Sequence, residues 1–171
     1  LFDGLKMFAT RDKLNEFVKL GELNILNQMV TSVASVINNY YNIVRQKQQL
    51  KAIEEQMGIN EERVKVAEKK LSVGLGAKPE LLQGKVDLNA QKAARLNQLT
   101  LIEQLKEQLN QLMNVALNTR YEVSDSITFA DEIILGDLMS AVETTNPQLL
   151  LTKKNIDISK LTLKERKAER Y

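Results

Sequence analysis

The sequence has 171 residues, of which 43% are hydrophobic and 27% charged, and its formal net charge is +2. It contains no His and no Cys, which argues against a thiol or serine-triad hydrolase, a zinc site and disulfide bonds. Because basic and acidic residues are balanced and interspersed, the chain lacks the basic patch of a nucleic-acid-binding protein. Only two prolines occur, Pro79 and Pro147, so long helices are expected.

The first predicted element is helix A, over residues 5–73. It contains no proline, and its apolar residues recur largely at spacings of three and four, the pattern of a coiled-coil seam. Gly21 and Gly58 are the two places where an interruption is expected. At 1.5 Å per residue, helix A would span on the order of 100 Å. Its seam consists of Val36, Tyr40, Ile43, Leu50, Ile53, Met57, Val64, Ala67 and Leu71.

A break follows at residues 74–78. Gly74 and Gly76 permit positive φ at the end of a helix, and Pro79 suits the first turn of the next one. Helix B is therefore predicted over residues 79–118, antiparallel to helix A. Its seam is predicted to contain Leu82, Val86, Ala93, Leu96, Ile102, Leu105, Leu109, Leu112 and Ala116.

Residues 119–145 are predicted to form a small mixed α/β segment. A short strand or extended stretch is expected first, because four apolar residues alternate with polar neighbours, and a short amphipathic helix is expected over residues 131–143. Asn146 and Pro147 then form a good N-cap and N1 pair, so helix C is predicted over residues 146–171. The four alternating residues are Tyr121, Val123, Ile127 and Phe129.

The helix lengths predict an architecture. Helices B and C together are about as long as helix A. We therefore expect a mainly α, single elongated domain: an antiparallel coiled-coil hairpin with a third helix stacked end to end on helix B, and the mixed α/β segment at the junction.

Four motifs, in this order along the chain, resemble the TolC-like outer membrane efflux protein family. Leu1-Phe2-Asp3-Gly4 is similar to the family's transition from a membrane strand to the long helix, and residues 61–90 to the signature around the periplasmic hairpin. Residues 145–149 are similar to the start of the next repeat, and residues 165–171 to the approach to the following strand. Leu1 is not an initiating Met, so we expect an excised segment of a larger protein.

The resemblance implies a fold and a function. Family members are trimers with a β-barrel in the bacterial outer membrane, a helical barrel across the periplasm and an equatorial belt. This chain would be the periplasmic helical part of one repeat, a passive conduit with no enzymatic activity, cofactor or metal. Membrane contact would occur only through strands missing from this chain.

The resemblance also implies a partner-binding site at the hairpin tip. Val73, Gly74 and Leu75 match the family's tip motif, and Gly76 follows it. The partners would be a periplasmic adaptor and, through it, an inner-membrane pump. The alternative is an ordinary helical hairpin ended by glycine, in which Val73 and Leu75 have no binding role. For the whole chain, the alternative is a periplasmic adaptor (membrane fusion) hairpin or another coiled-coil tether, although an adaptor usually has two arms of similar length.

Overall fold

The structure, a computed structural model, describes residues 6–124 and 134–168, and over these ranges it contains four helices and no strand. The mainly helical fold class is therefore confirmed. Residues 119–124 form no strand, and residues 125–133 lie outside the described part, so the mixed α/β segment stays a prediction. No helix in the described ranges is both long and apolar enough to cross a membrane. The helices are α1 (Lys6–Ser72), α2 (Lys78–Leu112), α3 (Leu135–Thr145) and α4 (Pro147–Ala168).

The chain divides into two compact units. Unit 1 comprises Leu1–Ala34 and Phe129–Tyr171, and unit 2 comprises Ser35–Thr128. Helix α1 contributes its first part to unit 1 and the rest to unit 2. It is not interrupted at Gly21 or Gly58, because a single interior glycine costs a helix only about 1 kcal/mol.

In unit 2, α2 runs antiparallel to the second part of α1. Cross-helix contacts join Gln98 to Gln46, Arg95 to Glu54 and Lys85 to Glu68. Residue numbers rise along α1 as they fall along α2, so the two helices are antiparallel. Every residue predicted for the seam of helix A is buried or half-buried, which confirms that part of the pattern. The buried core cluster consists of Ile43, Val44, Ile102, Leu109 and Val123.

The predicted seam of α2 is right only at Ile102, Leu105 and Leu109. Ile102 and Leu109 are buried, but Leu82, Val86 and Leu96 are exposed. Leu112 is exposed as well, and Ala116 is exposed beyond the end of the helix. The position facing α1 is instead taken by Gly84, where an added Cβ would lie 3.3 Å from Cγ2 of Val64. Farther along α2, Arg95 and Gln98 face α1 and contact Glu54 and Gln46. An apolar pattern cannot reveal a seam that is built from glycine and polar residues.

Helix α2 ends at Leu112, six residues before the predicted end at 118. Asn114 adopts φ 54°, Val115 N–H donates to Asn110 O (3.0 Å) and Asn114 N–H donates to Gln111 O (3.2 Å). These two bonds form a Schellman motif with asparagine in the left-handed position usually held by glycine. The reversal begins the return segment, residues 113–124.

The return segment is fastened to α2 and α1 by side chains. Asn110 is fully buried, and its Nδ2 donates to the carbonyls of Leu117 (2.9 Å) and Thr119 (3.1 Å). The Tyr121 hydroxyl donates to Lys106 O (3.0 Å). Burial, with the neighbouring carboxylates of Glu107 and Glu103, raises the pKa of Tyr121, which keeps this hydroxyl a donor.

In unit 1, α4 packs on the first part of α1 and is joined to α3 through Asn146. Asn146 N–H donates to Val142 O (3.1 Å) at the end of α3, and its Oδ1 accepts from Leu149 N–H (3.1 Å) at the start of α4. The predicted N-cap is therefore confirmed. Helix α3 begins at Leu135 and ends at Thr145, shifted from the predicted 131–143, and residues 169–171 of predicted helix C lie outside the described part.

Candidate docking site at the hairpin tip

The tip, residues 73–78, connects α1 to α2 and is built on a second Schellman motif. Gly74 adopts φ +77°, Leu75 N–H donates to Lys70 O (2.9 Å), and Gly74 N–H donates to Leu71 O (3.1 Å). Side-chain-bearing residues adopt this backbone conformation only at a cost, so glycine is the expected residue. Gly74 therefore serves to end α1 at this point.

Gly76 is required for a different reason. A Cβ added there would lie 2.7 Å from the backbone nitrogen of Leu71 and 2.9 Å from the carbonyl carbon of Lys70. Backbone atoms of a helix cannot move aside as a flexible side chain can. The tip therefore passes so close to the backbone of the last turn of α1 that only glycine fits at position 76.

Val73 and Leu75 are presented outward by this turn, with 67% and 84% of their surface exposed. In a Schellman motif the residue at the position of Leu75 often packs on an apolar residue in the last turn of the helix. The two positions that normally make this contact, third and fourth from the helix end, are Lys70 and Lys69 here. Leu75 consequently has no apolar partner within the motif, and neither side chain belongs to the core.

A basic rim surrounds the two apolar side chains. Lys69, Lys70 and Lys78 are exposed around the tip, and lysines in the last turn of α1 lie at the favourable end of its dipole. Just below, Lys85 Nζ and Glu68 Oε1 are 2.8 Å apart and join the two arms. At the start of α2, Ala77 is an N-cap without a side-chain hydrogen bond.

The predicted site residues form one turn that displays apolar surface. The four predicted site residues, Val73 to Gly76, lie together in one turn, where the glycines shape the turn and the apolar pair is displayed. The lysine rim was not predicted, although three lysines within ten residues of the sequence signal it. Within residues 6–124 and 134–168, no group of three or more His, Cys, Asp or Glu side chains is placed to hold a metal ion.

We predict that Gly76→Ala destabilises the hairpin more than Gly74→Ala. Gly74→Ala incurs the left-handed backbone strain, about 1–2 kcal/mol. Gly76 is not in the left-handed region, but a Cβ there must displace helix backbone, which costs about 1–3 kcal/mol and occasionally more. Urea denaturation followed by circular dichroism measures both. Gly58→Ala, at a helical position with nothing within 4 Å of the added Cβ, is the matched control and should be neutral or stabilising. Equal losses at positions 74 and 76 would contradict the close approach.

Comparison of the chain with protein-family models, with curated proteins and with solved structures finds no match. The relation to outer membrane efflux proteins thus remains a resemblance in motifs.

Proposed function

We propose that this chain is the periplasmic helical-barrel part of a bacterial outer membrane efflux or secretion duct. It is a passive export conduit that docks at its tip with the periplasmic adaptor of a tripartite pump. The observation that carries the docking part of the proposal is the pair of exposed apolar side chains, Val73 and Leu75, on a turn fixed by two required glycines.

The exposure of the tip calls for a partner. Burial of apolar surface is favourable by about 25 cal/mol of free energy for each Å². Exposed apolar patches therefore commonly mark interaction sites. The polar alternatives that would serve a plain turn equally well are not used at positions 73 and 75. The proposed occupant is the hairpin tip of the adaptor, which links the duct to an inner-membrane pump.

The first part of α1, in unit 1, has apolar residues on the side away from α4, which supports a position in the wall of a helical barrel. Residues facing α4, such as Ala9, Lys13 and Glu16, occupy one side of the helix. At 100° per residue, the opposite half of the helix carries most of the exposed apolar residues of this part of α1, and five of them recur at spacings of seven and four. We call these five the outer stripe of α1. They are Met7, Leu14, Val18, Ile25 and Met29.

The same two-sided pattern occurs in α2 of unit 2 and in α4 of unit 1. In unit 2, the exposed Leu82, Val86 and Leu96 lie on the side of α2 turned away from α1. In unit 1, the exposed Ile156 and Leu163 lie on the side of α4 turned away from α1. A wall one helix thick needs an apolar contact on both sides of every helix, so the pattern fits helices with a neighbour on each side. The proposed neighbours are further repeats in a homotrimer of the full-length parent.

The proposal assigns this chain no catalysis, no cofactor and no nucleic acid. Contact with the outer membrane would come from strands outside this chain. The exposed tip alone would equally suit an adaptor hairpin or another coiled-coil tether. The pairing of α1 with α4 in unit 1 favours the duct, because a two-armed hairpin needs no second partner helix beyond its arms.

Leu75→Asp in the full-length parent tests the proposal. We expect assembly to be retained and docking to weaken by about tenfold or more, since burying one leucine contributes about 1.5–3 kcal/mol. A photo-crosslinker placed near the tip reports adaptor contact, and retention of a fluorescent export substrate in cells reports function. Leu75→Met, which keeps an apolar side chain of similar volume, should behave as wild type.

Thr100→Asp is the second control, because it adds the same charge at an exposed polar position of α2. If Leu75→Asp assembles, crosslinks to the adaptor and exports like Thr100→Asp, the tip is not the docking site.

A further inference from the structure

The contact between α1 and α4 in unit 1 depends on charged groups more than on apolar burial. Among the described residues of this unit, the buried apolar side chains are Ala9, Leu151 and Ile158. Two glutamates, one on each helix, supply the cross-helix polar contacts. We call Glu16 and Glu165, with the side chains that donate to them, the carboxylate clasp.

Each carboxylate of the clasp has both oxygens occupied by donors. Glu165 on α4 accepts from Thr10 Oγ1 (2.7 Å) and from Lys13 Nζ, both on α1. Glu16 on α1 accepts from Lys154 Nζ of α4 (2.6 Å) and from Lys19 Nζ (2.8 Å). A proton on either oxygen of Glu16, or on Oε2 of Glu165, would face a lysine ammonium, and a proton on Oε1 of Glu165 would displace the hydrogen that Thr10 donates. Protonation and these bonds therefore compete directly.

The two carboxylates of the clasp are largely shielded from water, and the lysines bound to them favour their ionised form. The side chains of Glu165 and Glu16 are only 13% and 19% exposed. Lys6 adds a further positive charge near Glu165, while Asp12, Asp157 and Lys160 line the same cleft as Glu16. The hydrogen bond from Lys13 lowers the pKa of Glu165, and the hydrogen bond from Lys154 lowers the pKa of Glu16.

The sign of the pH effect follows from these lowered pKa values. Stability from the clasp is complete above the ordinary carboxyl pKa of 4.5. It is lost as the pH falls from there through the lowered values of the folded state.

Unit 2 is built differently. Its cross-helix carboxylates Glu54, Glu68 and Asp87 are 42%, 49% and 38% exposed, and exposed ion pairs contribute little to stability. Its helices are held instead by the buried cluster around Ile43 and Ile102. Protonation should therefore affect the two units unequally.

We propose that the carboxylate clasp makes the α1–α4 contact an acid-labile joint: protonation of Glu16 and Glu165 releases α4 from α1, while the α1–α2 hairpin of unit 2 stays paired. This inference does not depend on the proposed function.

Pulsed electron paramagnetic resonance on spin-labelled chains tests the joint. The chain has no native Cys, so one label pair is introduced across α1 and α4 by Asn15→Cys with Lys164→Cys. A second pair is introduced across α1 and α2 by Lys51→Cys with Lys92→Cys. All four positions are exposed. Between pH 7 and about pH 3, the distance distribution of the first pair should broaden reversibly and that of the second should not.

Charge-removing variants identify the groups responsible. In Glu16→Gln with Glu165→Gln, whose side chains are neutral like the protonated carboxylates, the α1–α4 distances should be broad already at pH 7 and should not respond to acid. Distances that stay narrow at pH 7 in this variant would count against the clasp. Glu62→Gln is the matched control, because Glu62 also has a pKa lowered by a lysine, Lys65, but that lysine lies on the same helix. It should keep the wild-type acid response.

Three further results would overturn the proposal: α1–α4 distances that stay narrow at about pH 3, equal broadening of both label pairs, or a wild-type acid response in the double variant. If the double variant does not fold, each single variant is measured. An undiminished acid response in both singles would then count against the clasp.

Discussion

Replacing Asn110 with aspartate is expected to detach the return segment and to lower the free energy of unfolding of unit 2 by about 2–4 kcal/mol. The change removes the Nδ2 group that donates to the carbonyls of Leu117 and Thr119. It puts a carboxylate oxygen against those two carbonyl oxygens at a fully buried position. A buried charge without a donor, facing two acceptors, is among the costliest single substitutions.

Two readouts separate a local from a global effect. Urea denaturation followed by far-ultraviolet circular dichroism gives the stability, and hydrogen exchange of residues 113–124 reports the return segment. Asn118→Asp adds the same charge to the return segment itself, but at an exposed position, and should cost no more than about 0.5 kcal/mol. Matching losses in the two variants would show that charge near the end of α2, and not the buried amide, sets the effect.

Local signals explain what the sequence predicted well. The seam of α1 is readable because its apolar residues repeat at helical spacing over ten turns, and all of them are buried or half-buried. The stop at Gly74 and the N-cap at Asn146 depend on residues next to each other in the chain. The turn formed by the four tip residues follows from the same kind of local signal, whereas their role in docking stays a prediction.

Long-range packing explains what the sequence missed. Between the tip and Ile102, α2 faces α1 with Gly84, Arg95 and Gln98. Nothing in the sequence of α2 alone marks these residues as contacts, because the contacts exist only with α1 opposite them. The early end of α2 depends on a buried amide that reaches carbonyls seven and nine residues ahead. Leu82 and Leu96 repeat at helical spacing just as core residues do, so periodicity alone could not tell an inner face from an outer one.

Placing glutamate at Val18 and Ile25 together is expected to abolish assembly of the full-length parent while leaving α1 and α4 paired. Both residues are exposed in the outer stripe of α1, on the side away from α4. If that stripe packs on a neighbouring repeat, each copy would bury two unpaired carboxylates, and breaking such a contact costs about 3–5 kcal/mol per uncompensated charge. Native mass spectrometry of the detergent-solubilised parent gives the oligomeric state, and circular dichroism gives the helix content.

Asn24→Glu with Ser159→Glu is the matched control, because it adds the same charge at two exposed polar positions of unit 1. Trimers from the control but not from Val18→Glu with Ile25→Glu would locate the lateral contact on the outer stripe. Trimers from both would mean that the stripe faces something other than a neighbouring repeat. The comparison with Leu75→Asp then separates the two surfaces, since a tip variant should assemble without docking, whereas a stripe variant should fail before docking becomes possible.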